Sequence, residues 1–293
     1  MSEISILIRT YNEEEFLPLT VEALFAQSEK SFDIVLVDSG STDKTLEIAR
    51  GYDGIKIIEV SKKDFTYGRA LNIGMAAVVD RAKYVAMLSA HAVPCNENWL
   101  SELLLPVRGH SEVVGVYGKQ VPFPDHMCNP IVRALATEVY PNCYGDNPFI
   151  TTNSYFFSNV NSLITSENWQ RHKFDESLEY CEDASWAKAV IDSGGWIAYQ
   201  PAAAVYHSHA DTFRNYFVRA YCEGKASRKI DPVSHPLLGR RECLRMLKNL
   251  FLIYLRRCLL EQSLRGLHWD ICRFRVVNTL ATYKGRKDAR VGS

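Results

Sequence analysis

The sequence predicts an α/β fold, a mainly parallel sheet with helices on both faces, followed by a helical C-terminal extension. Three observations lead there. Continuous apolar runs alternate with segments of helical spacing through the first third of the chain. Polar clusters stand at the ends of those runs, where parallel sheets bind their ligands. From Thr212 onward the strand pattern gives way to a helical one rich in Lys and Arg.

The elements follow in order. Ile4–Arg9 is a buried strand, and residues 14–27 show helical spacing at Phe16, Leu17, Leu24 and Phe25. Phe32–Val37 is a second strand, after which Ser41 and Thr42 look like an N-cap for a helix over 43–52. Residues 55–60 form a third strand, 69–81 a helix and 84–88 a fourth strand. Val113–Val121 is a later strand, and residues 156–162 re-enter the sheet. Residues 182–193 form a helix ending at Gly194-Gly195, and 196–199 a short strand. The Pro-rich stretch 122–153 reads as a long loop, of the kind more often functional than random. The expected division is a catalytic domain over 1–225, with halves 1–120 and 121–225, and a basic extension over 226–293.

With 47% hydrophobic and 23% charged residues, the 293-residue chain has a globular composition. No apolar run approaches the roughly 20 residues of a membrane-spanning helix. Met1-Ser2-Glu3 runs straight into the first strand, so no leader and a cytoplasmic location are expected. The eight cysteines include no CxxC pair and are expected to be reduced thiols. Net charge is zero overall, yet residues 239–293 hold 13 Lys/Arg against 4 Asp/Glu. The acidic remainder and the absence of a binding motif argue against nucleic acid. The segment 244–257 mixes apolar and basic residues, which suits either an anionic membrane surface or packing on the fold or a second subunit, as in a homodimer.

Four polar clusters carry the candidate chemistry: Thr10-Tyr11-Asn12-Glu13, Asp38 through Asp43, Ser89-Ala90-His91, and Glu182-Asp183. Carboxylates at the first two can accept hydrogen bonds from a nucleobase N–H edge or a ribose hydroxyl. Asp38 and Asp43 also fit simple capping of the helix after the second strand, and Glu182 and Asp183 fit ordinary first-turn acids.

Several segments together resemble the family 2 glycosyltransferases of the GT-A fold, which are inverting and use a nucleotide-sugar donor. They are Ile8 through Glu13, Val37 through Asp43, Asp64 through Asn72, Leu88 through Pro94 with Trp99, Phe174-Asp175-Glu176 with Glu182-Asp183, and Pro201 through His207. Phe65-x-x-Gly68-x-x-x-Asn72 and Ala92-x-Pro94 are similar to the rhamnosyltransferase-like branch. The resemblance covers about residues 3–225. It implies that Thr10, Asn12 and Glu13 line the base pocket and that Asp38 meets a uracil- or thymine-like edge. Asp43 and Arg69 would lie near ribose and diphosphate, and Asn72 would hold a loop closing on the nucleotide. Asp183 matches the family's general base, with Glu182 beside it.

Ser89-Ala90-His91 stands where that family usually carries Asp-x-Asp. Ser89 and Ala90 fall on the nucleotide-sugar side. His91 with His207, completed by diphosphate oxygens, is the expected site for a divalent cation, Mn²⁺ favoured over Mg²⁺. Asn159, Asn161 and Trp186 are assigned to the acceptor side, with core packing the better reading for Trp186 and Trp99. His126 is a further acceptor candidate and His209 a neighbour of the metal pair. The donor expected is a UDP- or dTDP-sugar, the acceptor a glycan or lipid-linked glycan of surface polysaccharide synthesis. The rival readings are a metal-independent transferase and a binding module without turnover.

Overall fold

The computed structural model describes residues 2–124, 145–208, 212–237, 239–260 and 265–289. His126, His209 and most of the Pro-rich stretch lie outside them. The chain forms two compact units. One comprises Met1–Val121, Tyr144–Leu178 and Glu182–His207; the other comprises Pro122–Cys143, Glu179–Cys181 and Ser208–Ser293.

The first unit is built on one sheet. Its strands are β1 (Ile4–Thr10), β2 (Asp33–Asp38), β3 (Ile55–Glu59), β4 (Tyr84–Ser89), β5 (Val93–Pro94), β6 (Val113–Val121), β7 (Phe149–Thr151), β8 (Asn161–Thr165) and β9 (Trp196–Tyr206). Their order is β3-β2-β1-β4-β8-β6-β9-β5, with β7 on β9. The first four strands are mutually parallel. β8 runs antiparallel to β4 and β6, while β9 returns parallel to β6. The helices are α1 (Leu17–Phe25), α2 (Thr45–Arg50), α3 (Tyr67–Ala76), α4 (Trp99–Gly109), α5 (Ser166–Arg171) and α6 (Glu182–Asp192).

Both faces of the sheet are covered, which is why its central strands are largely apolar. Ile4, Ile6 and Ile8 of β1 point to the face covered by α1 and α4, whereas Leu7 points to the face covered by α3 and α6. The alternation carries through to the carboxyl ends. Arg9 and Ser89 therefore share the α3 face, and Thr10 and Asp38 share the α1 face. Register places Arg9 beside Ser89 and Thr10 beside Asp38.

The Phe65-x-x-Gly68-x-x-x-Asn72 segment acts as a clamp. Thr66 caps α3 by accepting from the Arg69 N–H. A Cβ on Gly68 would come within 2.6 Å of the Asp175 carbonyl oxygen, so only glycine lets that backbone approach. One turn later the Asn72 amide donates to the Phe174 carbonyl and to Glu176 Oε1, each at 2.9 Å. Its oxygen accepts from Trp169 Nε1 at 3.0 Å and the Phe174 N–H at 3.1 Å. Asn72 thus fixes the backbone of 174–176, the stretch leading toward α6.

The second unit contains α7 (Phe213–Ile230), α8 (Arg240–Leu260) and α9 (Arg265–Asp288). Tyr216, Tyr254, Ile271, Cys272 and Phe274 form its core. Gly224 and Gly285 let α7 and α9 cross closely. A Cβ on Gly224 would lie 2.9 Å from Thr282 Cα, and one on Gly285 would lie 2.0 Å from the Tyr221 carbonyl oxygen.

The clamp generates a prediction. Gly68→Ala should cost about 1–3 kcal/mol through overpacking against fixed backbone. Asn72→Ala should cost a similar ~1–3 kcal/mol by leaving buried groups unpaired. Denaturant midpoints equal to the parent's for both variants would contradict the clamp.

Candidate active site

The loops that follow β1 and β2 are tied to each other. Asn12, in the left-handed region at φ 53°, accepts from the Thr42 N–H at 2.8 Å through its side-chain oxygen. Its own N–H donates to Ser41 Oγ at 2.9 Å. The Glu13 N–H donates to Thr45 Oγ1 at 2.7 Å, the Glu14 N–H to Asp43 Oδ2 at 3.1 Å, and the Lys44 N–H to Glu14 Oε2 at 2.9 Å.

This changes the reading of the two aspartates. Asp38, expected on a nucleobase edge, is fully buried and organises the Gly40 turn. Its Oδ2 accepts from the Gly40 and Ser41 N–H groups, both at 2.9 Å, and its Oδ1 accepts from Ser41 Oγ at 2.5 Å. Gly40 has φ +84°, a conformation that favours glycine. Asp43 accepts from the Thr45 N–H at 3.0 Å and Thr45 Oγ1 at 2.5 Å, an Asx turn leading into α2. Burial opposes its ionisation, but those hydrogen bonds outweigh it and hold the carboxyl below the usual range. Thr10 is 3% exposed, and its Oγ1 has no hydrogen-bond partner among the described residues.

The Ser89-Ala90-His91 step is a turn closed by the Ala92 N–H donating to the Ser89 carbonyl at 2.9 Å. Ser89 is 7% exposed. Ala90 belongs to the core, and its carbonyl accepts from Thr20 Oγ1 at 2.7 Å. Its side chain is therefore packing, not a contact to a sugar. Beyond the turn, β5 pairs antiparallel with the end of β9, Val93 opposite Tyr206. That pairing carries His207 to His91, with Nε2 atoms 3.2 Å apart and rings stacked at 5.0 Å. His91 Nδ1 lies 2.6 Å from Glu13 Oε1.

The chemistry of this donor set fits a divalent cation. The Glu13 carboxylate accepts the Nδ1 proton of His91, which fixes the tautomer with an Nε2 lone pair outward, as is usual for metal-bound imidazole. Two nitrogens each ~2.1 Å from one ion and roughly 100° apart would stand about 3.2 Å from each other. No cluster of three or more metal-binding His, Cys, Asp or Glu side chains exists among the described residues, so any ion needs further oxygen ligands from a bound molecule or water.

The fourth cluster opens α6. The preceding residue, Cys181, has φ 65°, an uncommon conformation for a non-glycine residue. Glu182 is 5% exposed, while Asp183 keeps part of its surface accessible. The Asp183 carboxylate accepts from the Ala184 N–H at 2.8 Å and the Asn159 N–H at 3.4 Å. Asn159 Nδ2 also donates to Glu182 Oε1 at 3.4 Å. Burial, with the Glu182 charge next door, pushes the Asp183 carboxyl up to about 7 from 3.8; the backbone N–H groups and Arg9 pull the other way.

Arg9 was not singled out from the sequence. Its guanidinium stands 4.0 Å from Glu182 Oε1 and 4.9 Å from the centre of the Tyr67 ring. Its side chain is 13% exposed, and its Nε has no partner among the described residues. A cation in the last turns of an otherwise apolar strand was the available signal. Lys62 was also missed, and Tyr11 was given no role of its own within its cluster: Tyr11 is 39% exposed, and Lys62 Nζ sits 4.7 Å above its ring centre.

The remaining assignments divide. Arg69 is about half exposed and lies 3.6 Å from Glu176 Oε2, on the clamp. Asn159 is 1% exposed and serves the two carboxylates, so it positions them and presents no surface to an acceptor. Asn161 is fully buried; its amide donates to the Lys119 and Ala203 carbonyls at 3.1 and 2.8 Å, and its oxygen accepts from Trp99 Nε1 at 2.8 Å. Trp186 is 1% exposed against Phe157 and Phe174. Neither Asn161 nor Trp186 can touch an acceptor, because both are walled in by the core.

Comparison with known proteins bears on the family and the fold. Over 228 residues the chain is 26% identical to the O-antigen chain rhamnosyltransferase RfbN of Salmonella typhimurium, covering 76% of this chain and 71% of that protein. Over 240 residues it is 28% identical to the O-antigen chain rhamnosyltransferase WbaN of Salmonella anatum, covering 76% and 72%. Among solved structures it resembles a mannosyltransferase from Pyrobaculum calidifontis in complex with GDP-Man and Mn²⁺, with a TM-score of 0.62, 14% identity, and coverage of 94% of this chain and 86% of that one. It also resembles S. aureus TarS 1-349 in complex with UDP-GlcNAc, with a TM-score of 0.56, 15% identity and coverage of 99% and 93%. These likenesses establish the GT-A fold. The description Glycosyl transferase family 2 matches residues 5–164, more than half the sequence, so the chain belongs to glycosyl transferase family 2 and is a glycosyltransferase.

Proposed function

We propose that the chain is an inverting transferase that moves a sugar, a deoxyhexose of the rhamnose type favoured, from a nucleoside diphosphate to a hydroxyl of a glycan or lipid-linked glycan in surface polysaccharide synthesis. The observation that carries this reading is the placement of the Asp183 carboxyl at the amino end of α6, beside Glu182 and held by the Ala184 and Asn159 N–H groups, where burial and the Glu182 charge push it up to about 7. The names of the two Salmonella relatives favour the sugar class and the O-antigen setting. The cytoplasm, where the expected donors are made, is the proposed location. No helix among the described residues is long and apolar enough to cross a membrane.

Asp183 accepts the acceptor's hydroxyl proton as that oxygen attacks the anomeric carbon. The bond from that carbon to the diphosphate oxygen breaks on the opposite face, which inverts the configuration. A positioned base of this kind contributes about 10²–10⁴-fold. Glu182 and Asn159 hold and tune Asp183, and Arg9 balances their charge. The exposed face of Tyr11 is a stacking surface for the donor's base, and the buried Thr10 hydroxyl is a hydrogen-bonding group beside it. Ser89 lies at the ribose. Asn12, Glu13, Asp38 and Asp43 build this pocket chiefly by tying the β1 and β2 loops together, and Asn72 with Arg69 fixes the neighbouring clamp.

His91 and His207 are the residues that would hold a divalent cation in place of Asp-x-Asp. Such an ion, when bound, neutralises the departing diphosphate. The 3.2 Å separation of the two imidazoles also suits a direct N–H···N hydrogen bond, which favours metal-independent transfer as the second reading.

Two predictions follow from this arrangement. Asp183→Asn should lower turnover at least ~100-fold without loss of nucleotide binding. A carboxyl raised from 3.8 to about 7 binds protons in the folded state that the unfolded chain has released. The stability it contributes is complete below the unfolded value and lost as pH rises through about 7. Asp183→Asn should therefore melt above the parent at pH 8 and match it near pH 4, so a variant less stable than the parent at pH 8 would contradict the buried carboxyl.

The second prediction concerns the cation. Melting curves against UDP, dTDP, GDP and CMP, with Mn²⁺, with Mg²⁺ and with chelator, should show one nucleotide stabilising the protein. A ligand at about 100 times its dissociation constant adds about 2.7 kcal/mol. If stabilisation needs metal and His91→Ala removes it, the His91–His207 site holds the cation. Equal stabilisation in chelator would favour metal-independent transfer, and stabilisation by no nucleotide would overturn the transferase reading.

A further inference from the structure

Within the second unit, α8 buries Cys243, Tyr254 and Cys258 on one side and leaves large apolar side chains open on another. Leu244, Phe251, Leu252 and Leu259 are 57%, 48%, 50% and 60% exposed. Their spacing places them within an arc of about 100° on the helix, at ~100° per residue. Isolated exposed apolar residues are ordinary, but four along one arc form a patch that calls for a covering. Arg241 and Lys248 fall within the same arc, with Arg245 and Arg256 along its border. Against the six cations of α8 stands a single acid, Glu242.

We infer that this face of α8 docks on an anionic lipid surface, lying in the plane of the headgroups. Over 21 residues the helix spans ~31 Å, enough for several turns of contact. The leucines and Phe251 would enter the boundary between headgroups and acyl chains, while the Arg and Lys stems run along them and carry their charge to lipid phosphates. Charge decides between this occupant and a second copy of the chain. Two such faces apposed would bring like charges together with one acid on each side, which opposes pairing. An anionic leaflet answers the cations of this face and its border, Arg241, Arg245, Lys248 and Arg256. The inference stands apart from the transferase reading, since it rests on α8 alone.

Flotation of the full chain with vesicles tests it. The probes are phosphatidylcholine vesicles and the same vesicles with about 30% phosphatidylglycerol, at low and high salt. The expected result is binding to the anionic vesicles only, weakened by salt. Arg245→Glu/Arg256→Glu should reduce it by roughly tenfold or more. Leu252→Glu/Leu259→Glu should abolish it while circular dichroism and melting temperature stay at the parent's values. No binding by the parent, or binding unchanged in both double variants, would overturn the proposal. So would a parent that is dimeric in light scattering and becomes monomeric with Leu252→Glu/Leu259→Glu.

Discussion

Two neighbouring carboxylates at one helix terminus repel each other, and much of the first unit is arranged so that they can coexist. The helix N-terminus favours negative charge, Asn159 gives each carboxylate a hydrogen bond, and Arg9 reaches across from β1. Arg9 in turn needs Tyr67 beside it, and Tyr67 opens α3, whose next residues, Gly68 and Asn72, grip the backbone of 174–176. The clamp, the cation near the end of β1 and the two carboxylates are thus one construction. It leaves Glu182 more enclosed than Asp183, which is why the proton-accepting role is proposed for Asp183.

On the opposite face of the sheet the polar residues do a different job. Asn12, Glu14, Asp38 and Asp43 direct their side-chain oxygens mostly at backbone N–H groups of the two loops. Such bonds satisfy donors that a bound nucleotide would otherwise compete for, and they set the loops in place before any ligand arrives. Glu13 contributes at both levels: its N–H joins the ties while its carboxylate orients His91. In the proposed function these residues shape the donor pocket without themselves meeting the donor.

The first half of the fold was legible because a sheet covered on both faces leaves long apolar runs, and helices between them carry cores on one side. Strands β1 to β4 and β6 stand within a residue or two of their expected limits. Two-residue β5 and three-residue β7 carry too little pattern, α4 was not assigned although Trp99, Leu100, Leu103, Leu104 and Val107 recur at helical spacing around Pro106, and β9 was expected to stop at 199 although it continues to Tyr206. The site was legible in its composition more than in its roles. A carboxylate's hydrogen-bond partners depend on the path of the chain around it, which is why Asp38 was expected on a nucleobase edge and lies inside a turn. Arg9 and Asn159 were overlooked as positioning groups for the same reason. Each acts on α6, far along the sequence, and only the sheet brings them there. His91 and His207 were paired by resemblance, and β5 against β9 supplies the physical cause of their meeting.

In the proposed mechanism the Asp183 carboxyl is a base whose ionisation is set by its charged neighbours. The most direct measurement is the pH dependence of sugar transfer in the parent, in Glu182→Gln and in Arg9→Met. Removing the Glu182 charge should move the acid limb to lower pH, and removing the Arg9 charge should move it to higher pH, from a parent value near 7. An acid limb that stays in place in both variants would show that Asp183 is not the group whose ionisation governs transfer.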